Sequence, residues 1–355
     1  MAELVQPHVR HITAVAHGSV SASELAAFGL GPADVLDFSV NTNPLGPAPS
    51  VLAALGTTDW TRYPGDDEAP LRQALAERAG VAAQCVALGN GSAELIWLLG
   101  LATLRPGETV AVLGPTFGEY TRAAHILGAH VRDVRAVDDV PAARLVFLCN
   151  PNNPTGDHHP RAVVERLLAD DPLRLVVLDE AYAAFVDRDR FWPSEPLLAY
   201  PNLVILRSMT KDQALPGLRL GYLLADPQVA GAVEAVRPPW STNAGALRAG
   251  LAALEPAAEA HVAAARAVVH TSRHLLTHGL TELGLHVRPS GANFVLVEVG
   301  DGATFRRALL TEGHIVVRDC ASFGLPHCVR IACRQPDDCR RLLERCATLV
   351  GAVRR

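Results

Sequence analysis

Ser208-Met-Thr-Lys211, followed by Pro216-Gly-Leu-Arg219-Leu-Gly-Tyr222, is the stretch on which the reading of this chain turns. Lysine and arginine together number 32 in the 355 residues, and every one of them except Lys211 is arginine. A coding bias that turns generic cations into arginine leaves lysine only where arginine fails. Guanidinium stays protonated and cannot act as an amine nucleophile, whereas a lysine amine can condense with an aldehyde. The neighbours suit a bound anion. Ser208 offers a hydroxyl, Arg219 a charge-assisted hydrogen bond, and the glycines allow close backbone approach to a flat ligand.

Outward from this stretch, short apolar runs at 110–113, 145–149, 175–178, 203–206 and 220–224 alternate with helical patterns. Continuous apolar runs of this kind predict a mostly parallel sheet covered on both faces. A helix is expected from Ser92, leaving the glycine turn at Gly89-Asn-Gly91. Residues 150–156 read as a turn-rich loop directly after a strand. From about Leu247 the chain is alanine-rich and helical through His278. A strand at 294–299, a helix near 304–311, a strand at 314–318 and a helix near 337–349 follow. The first 40 or so residues are expected to pack on this later block. The prediction is an α/β protein with a large domain, 44–245, built on a mostly parallel central sheet flanked by helices, and a smaller α/β domain formed by 1–43 with 246–355.

Bulk properties narrow the function classes. The chain is 49% hydrophobic with a formal net charge of -5 and no long block of one sign, so neither nucleic acid nor an anionic membrane is an expected partner. Apolar runs fall well short of the ~20 residues of a membrane span, and the N-terminus does not read as a secretory signal. Seven cysteines without CxxC spacing read as reduced thiols of a cytoplasmic protein. No metal site is expected. His158 and His159 read as solvated loop residues, because no acidic or cysteine partners stand at ligand spacing.

Further motifs carry chemistry. Leu178-Asp179-Glu180-Ala181-Tyr182 puts a carboxylate at a strand end. Asn150-Pro-Asn-Asn153-Pro-Thr-Gly156 presents an amide from a tight turn. Gly89-Asn-Gly91-Ser92-Ala93 feeds a helix N-terminus whose free N–H groups suit an anion. Gly114-Pro-Thr-Phe117-Gly-Glu-Tyr120 supplies an aromatic face. Arg62-Tyr63-Pro64-Gly65 and Val329-Arg330 complete the set.

In order and spacing these motifs resemble the fold-type I, class I/II aminotransferase superfamily of pyridoxal-5'-phosphate (PLP) enzymes, over nearly the whole chain. The resemblance implies that Lys211 carries PLP as an imine. It implies that Asp179 pairs with the pyridine nitrogen, keeping the ring electron-poor, and that Tyr182 and Asn153 bond the 3'-oxygen. Gly91, Ser92, Ala93, Ser208 and Arg219 fall to the cofactor's phosphate, and Thr210 to the cofactor site. Phe117 matches the ring-stacking position, with Tyr120 a competitor. Tyr63 matches a tyrosine that reaches the phosphate of the neighbouring subunit, which implies a homodimer with shared active sites. Arg330 matches the arginine that grips the substrate carboxylate; a planar fork suits that group bidentately.

Within the superfamily two members compete. Ala16-His17-Gly18, Leu36-Asp-Phe-Ser-Val-Asn41-Thr-Asn43-Pro-Leu-Gly46, Pro239-Trp240-Ser-Thr-Asn243 and Thr210 resemble threonine-phosphate decarboxylase of cobalamin synthesis. Tyr182 is closer to histidinol-phosphate aminotransferase. By position, His17, Asn41 and Arg318 would contact a substrate phosphate. Both reactions need the same lysine, and the bond held perpendicular to the ring decides between them. The expectation is decarboxylation of an O-phospho-L-threonine-like amino acid, with histidinol-phosphate-type or other amino transfer to a 2-oxo acid as the alternative. An enzyme acting on an unphosphorylated amino acid is a third reading. A non-catalytic binding protein is disfavoured by the complete lysine, aspartate and arginine set. A dinucleotide dehydrogenase is disfavoured because Gly89-Asn-Gly-Ser-Ala-Glu lacks a third glycine.

Overall fold

In Leu145-Val-Phe-Leu-Cys149 every side chain is buried. Alternate residues point to opposite faces of a strand: Val146 and Leu148 join one hydrophobic cluster, and Leu145 and Phe147 the other. The strand therefore has a core on each face, which is why its sequence is apolar without a break. The computed structural model describes residues 9–12, 15, 20–65 and 67–353. It places this strand inside a seven-stranded sheet whose order is Val86–Asn90, Leu220–Ala225, Leu203–Ser208, Leu175–Asp179, Leu145–Cys149, Thr109–Leu113, His130–Val134. Only Leu220–Ala225 runs against its neighbours. The fold is α/β with a mostly parallel central sheet flanked by helices, as the apolar runs imply.

Two strands lack that signature. His130–Val134 is an edge strand with mostly exposed or half-buried side chains, so its polar residues hide it. Val86–Asn90 ends in Gly-Asn and reads as turn. The alanine-rich stretch is two helices, Ala244–Ala253 and Pro256–Glu282. The break falls where Pro256, lacking an N–H, opens a new helix instead of continuing the old one.

A second, antiparallel sheet has four strands in the order Arg318–Asp319, Cys328–Ala332, Phe294–Glu298, His286–Val287. The single strand expected at 314–318 is in fact two short ones. Ile315–Val316 pairs in parallel with Leu36–Asp37, while Arg318–Asp319 pairs with Cys328–Ala332, so the chain changes sheets at Val317. Leu25 packs with Leu310 and Val316, which ties the described N-terminal residues to this later block. No helix among the described residues is long and apolar enough to cross a membrane.

The parallel register decides where the site lies. Cys149 stands beside Asp179, and Asp179 beside Leu206. The loops that leave these strands, beginning at Asn150, Glu180 and Ser208, thus emerge together at the carboxyl edge of the sheet, where open α/β sheets bind their ligands.

Candidate active site

Lys211 sits in the short helix Met209–Asp212, directly after the strand Leu203–Ser208. Its Nζ donates to Asn41 Oδ1 at 3.3 Å and lies 5.9 Å from the centre of the Tyr182 ring. Burial, then the positive charges of Arg330 and Arg219, push the amine down to about 8, with Asp179 acting weakly in the other direction. A lysine with this value has a useful neutral fraction near neutrality, as condensation with an aldehyde requires.

Asn41 Nδ2 donates to the Tyr182 hydroxyl at 3.0 Å. That oxygen accepts here, so its own proton remains available for another acceptor. Burial pushes the Tyr182 phenol up and keeps it protonated. Asp179 ends its strand at 3% exposure. Burial lifts its carboxyl to about 6, against the hydrogen bond from Tyr120 and the Ala181 N–H. Asn153 Oδ1 accepts from Arg330 Nη1, which leaves the Asn153 amide hydrogens free to point elsewhere.

Arg330 is 4% exposed. It donates through Nη2 to the Ser39 carbonyl at 2.8 Å, and its guanidinium lies 5.2 Å from the Phe294 ring centre. Its Nε is buried without a partner. Arg318 is its direct neighbour across the strand pair. Arg318 Nη2 donates to Ser322 Oγ at 2.7 Å, and burial followed by the charge of Arg330 lowers its guanidinium. Like charges placed opposite each other in a sheet are destabilising, and this pair concentrates positive charge next to Lys211.

A second anion cradle lies at the start of helix Ser92–Thr103. Gly91 has φ +81°, and a Cβ there would stand 2.6 Å from Arg219 Nη2. A Cβ on Gly221 would stand 2.5 Å from the Ser92 nitrogen. Both glycines are needed for Arg219 and the strand Leu220–Ala225 to close on the helix N-terminus. Arg219 itself adopts φ +62°, a conformation non-glycine residues seldom take. Ser208 and Thr210 share a hydroxyl–hydroxyl bond of 2.8 Å.

The structure thus gathers Asn41, Tyr182 and Lys211, brings Arg330 to Asn153, and sets Arg219 against Gly91. Asn41, expected beside a substrate phosphate, lies at the lysine amine. Phe117 is partly buried, whereas Tyr120 is fully buried beneath it, stacked on Phe147 at 4.6 Å, and so does not compete for the ring-facing position. Tyr63 is 75% exposed and stacks on Trp240 at 4.3 Å. His17 lies outside the described residues. His158 and His159 are not solvated as expected: both are half-buried, and desolvation lowers both, His158 to about 4.

Two contributors escaped the sequence reading. Asn293 is fully buried and donates to the Asn41 carbonyl at 3.1 Å, fixing that segment. A lone asparagine before the apolar strand Phe294–Glu298 was its only signal. Tyr120 donates to Asp179 Oδ2 at 2.6 Å; its motif drew attention for another role.

Residues 33–346 match the family model described as aminotransferase class I and II. The histidinol-phosphate aminotransferase of Anaeromyxobacter sp. is 38% identical over 99% of both chains. The crystal structure of histidinol-phosphate aminotransferase from Sinorhizobium meliloti, in complex with pyridoxal-5'-phosphate, superposes with a TM-score of 0.88 at 25% identity, covering 99% of this chain and 98% of that one. That of L-threonine-O-3-phosphate decarboxylase from Porphyromonas gingivalis reaches 0.79 at 26% identity, covering 89% of this chain and all of the other. The chain belongs to the class I and II aminotransferase family. It is an enzyme, and its cofactor is PLP.

The residues present fit that cofactor: a depressed lysine amine, a buried carboxylate, and a glycine-lined anion cradle that a Cβ would fill. The expected decarboxylation of a phospho-threonine-like amino acid is overturned. Relatives 35–38% identical over nearly the whole chain, and a structure covering 99% of it, are histidinol-phosphate aminotransferases, whereas the decarboxylase structure covers 89% of it. The physical reason is that both reactions use one lysine, one cofactor and a phosphorylated amine. A local resemblance in segments such as 36–46 and at Thr210 therefore does not report which bond breaks.

Proposed function

We propose that the enzyme is an aminotransferase of the histidinol-phosphate type, moving an amino group between a phosphate-bearing amine and a 2-oxo acid. The observation that carries this is the in-register pair of Arg318 and Arg330 beside the lysine site. Two half-reactions present different anions, a phosphate in one and an α-carboxylate in the other, and a pair of guanidiniums accommodates both. The relatives' names support the same reading.

In this reading, Gly91, Ser92, Ala93, Ser208, Thr210 and Arg219 would hold the cofactor phosphate end, and Phe117 would cover its ring. Asp179, as carboxylate, would pair with the pyridine nitrogen, and Asn153 and Tyr182 would donate to the 3'-oxygen. When bound, PLP supplies an electron sink for charge developing at the substrate α-carbon. Lys211 Nζ would anchor it, and as a neutral amine the same group would accept the substrate's α-proton. Arg330 would orient the α-carboxylate of the amino-acid partner in one half-reaction and Arg318 the phosphate of the amine partner in the other, each aligning the α-hydrogen of its own substrate for removal. Residues 44–245 form the cofactor-bearing unit, and 1–43 with 246–355 the unit that brings the arginines. The working form is a cytoplasmic homodimer in which Tyr63 of the neighbouring subunit completes each phosphate site. The exposed aromatics Trp60, Tyr63 and Trp240 support such an interface.

The test is an assay of purified holoenzyme with histidinol phosphate and a panel of 2-oxo acids. Formation of the matching amino acid only when both substrates are present is the expected result. Carbon dioxide release from a phospho-amino acid without any 2-oxo acid, or no transfer across the panel, would reject the proposal.

A further inference from the structure

Tyr120 is 0% exposed, and its hydroxyl donates to Asp179 Oδ2 at 2.6 Å. The ring is fixed on two sides. It stacks on Phe147 with an interplanar angle of 11° and meets Phe117 edge-on at 5.6 Å. The other carboxylate oxygen, Oδ1, accepts from the Ala181 N–H at 3.0 Å. One donor on each oxygen fixes the plane of the carboxylate and still leaves each oxygen a lone pair. Burial works against the charge on Asp179, and Glu180 next to it adds repulsion that its bond to Arg207 offsets. The phenol and the Ala181 N–H are the donors to this carboxylate, which the Lys211 amine, the Cys149 thiol and the Tyr182 phenol also face.

We infer that Tyr120 is a positioning residue for the cofactor: its hydroxyl holds the Asp179 carboxylate ionised and oriented for the protonated pyridine nitrogen. The inference rests on the assignment of Asp179 to that nitrogen. Phenols donate to anions strongly, and losing one hydrogen bond to a charged group moves its pKa on the order of one to two units. Without the phenol, Asp179 therefore protonates at higher pH, and a neutral acid attracts a pyridinium poorly.

The experiment measures the affinity of apoenzyme for PLP as a function of pH, by fluorescence titration, for the wild type, Tyr120→Phe, Tyr120→His and Asp179→Asn. Tyr120→Phe keeps the stacked ring, and Tyr120→His keeps a ring donor. In the wild type, affinity falls as the pH drops through about 6, where Asp179 takes up its proton. The expected result is an acid limb displaced upward by about one to two pH units in Tyr120→Phe, and closer to the wild type in Tyr120→His. The cofactor's own phosphate titrates identically in all four proteins and cancels in the comparison. An unmoved limb in Tyr120→Phe overturns the inference, and so does equal displacement in both Tyr120 variants. If Tyr120→Phe yields no folded apoenzyme by circular dichroism, the His variant decides: a limb within half a unit of the wild type supports the inference, and a limb lost as in Asp179→Asn overturns it. Should Asp179→Asn match the wild type throughout, the assignment of Asp179 itself fails, which separates that failure from one confined to Tyr120.

Discussion

Lys211 Nζ donates to Asn41 Oδ1 across 3.3 Å, so the reactive amine is held by a neutral acceptor that comes from the N-terminal side of the chain. A neutral partner leaves the depressed amine value intact. A charged one does not: an opposite charge at this range favours the protonated form by about one to three units. Asn41→Asp is therefore expected to slow cofactor capture on the order of tenfold or more at pH 8, with the deficit closing as the pH rises. Stopped-flow growth of the visible absorbance after adding PLP to apoenzyme, from pH 6 to 10, measures this. A variant profile that overlays the wild type would show that Asn41 does not set the amine.

Gly91 and Gly107 both have positive φ, +81° and +85°, but only Gly91 faces Arg219; a Cβ on Gly107 meets nothing within 4 Å. Each alanine substitution carries a backbone cost of about 1–3 kcal/mol. Gly91→Ala alone forces Arg219 out of the phosphate cradle. Melting temperatures are expected to fall similarly in the two apo variants. The PLP dissociation constant is expected to rise at least about tenfold in Gly91→Ala only, the loss of one charge-assisted contact. Equal affinities in the two variants would remove the cradle assignment.

Arg330→Lys keeps the charge but loses the fork that reaches both Asn153 and the Ser39 carbonyl. The KM for the amino-acid substrate is expected to rise on the order of tenfold to a hundredfold, with PLP affinity changed much less. Steady-state kinetics on the holoenzyme, with a parallel cofactor titration, separates the two effects. A KM near that of the wild type would take Arg330 out of substrate recognition.

Tyr63 stacks on Trp240 with 75% of its surface exposed. If subunits share sites, Lys211→Ala and Tyr63→Ala proteins, each impaired alone, complement one another on mixing. Random exchange makes half the dimers mixed, each with one intact site, so roughly a quarter of wild-type activity is expected. Chains that work independently would show no recovery.

Much of the site was legible in one dimension because its residues sit on tight local features. The lysine follows a buried strand, the aspartate ends one, and Gly91 opens a helix; each leaves a local pattern of apolar run and punctuation. The reaction itself was not legible in the same way. Decarboxylation and amino transfer differ in which substrate bond stands perpendicular to the ring, and no local motif encodes that angle. Asn41 illustrates the same limit. Its segment matched a family pattern, but only folding sets its amide between Lys211 and Tyr182.

The sequence by itself determined the cofactor chemistry and the fold class, since a lone lysine among arginines and unbroken apolar strands need no distant partner to be read. Tertiary structure alone decided what stands behind and around those groups: Tyr120 under Asp179, Asn293 under Asn41, and Arg318 opposite Arg330. These pairs are separated by tens to hundreds of residues or depend on strand register. A side-chain contact of that kind is a property of packing, which local sequence does not specify.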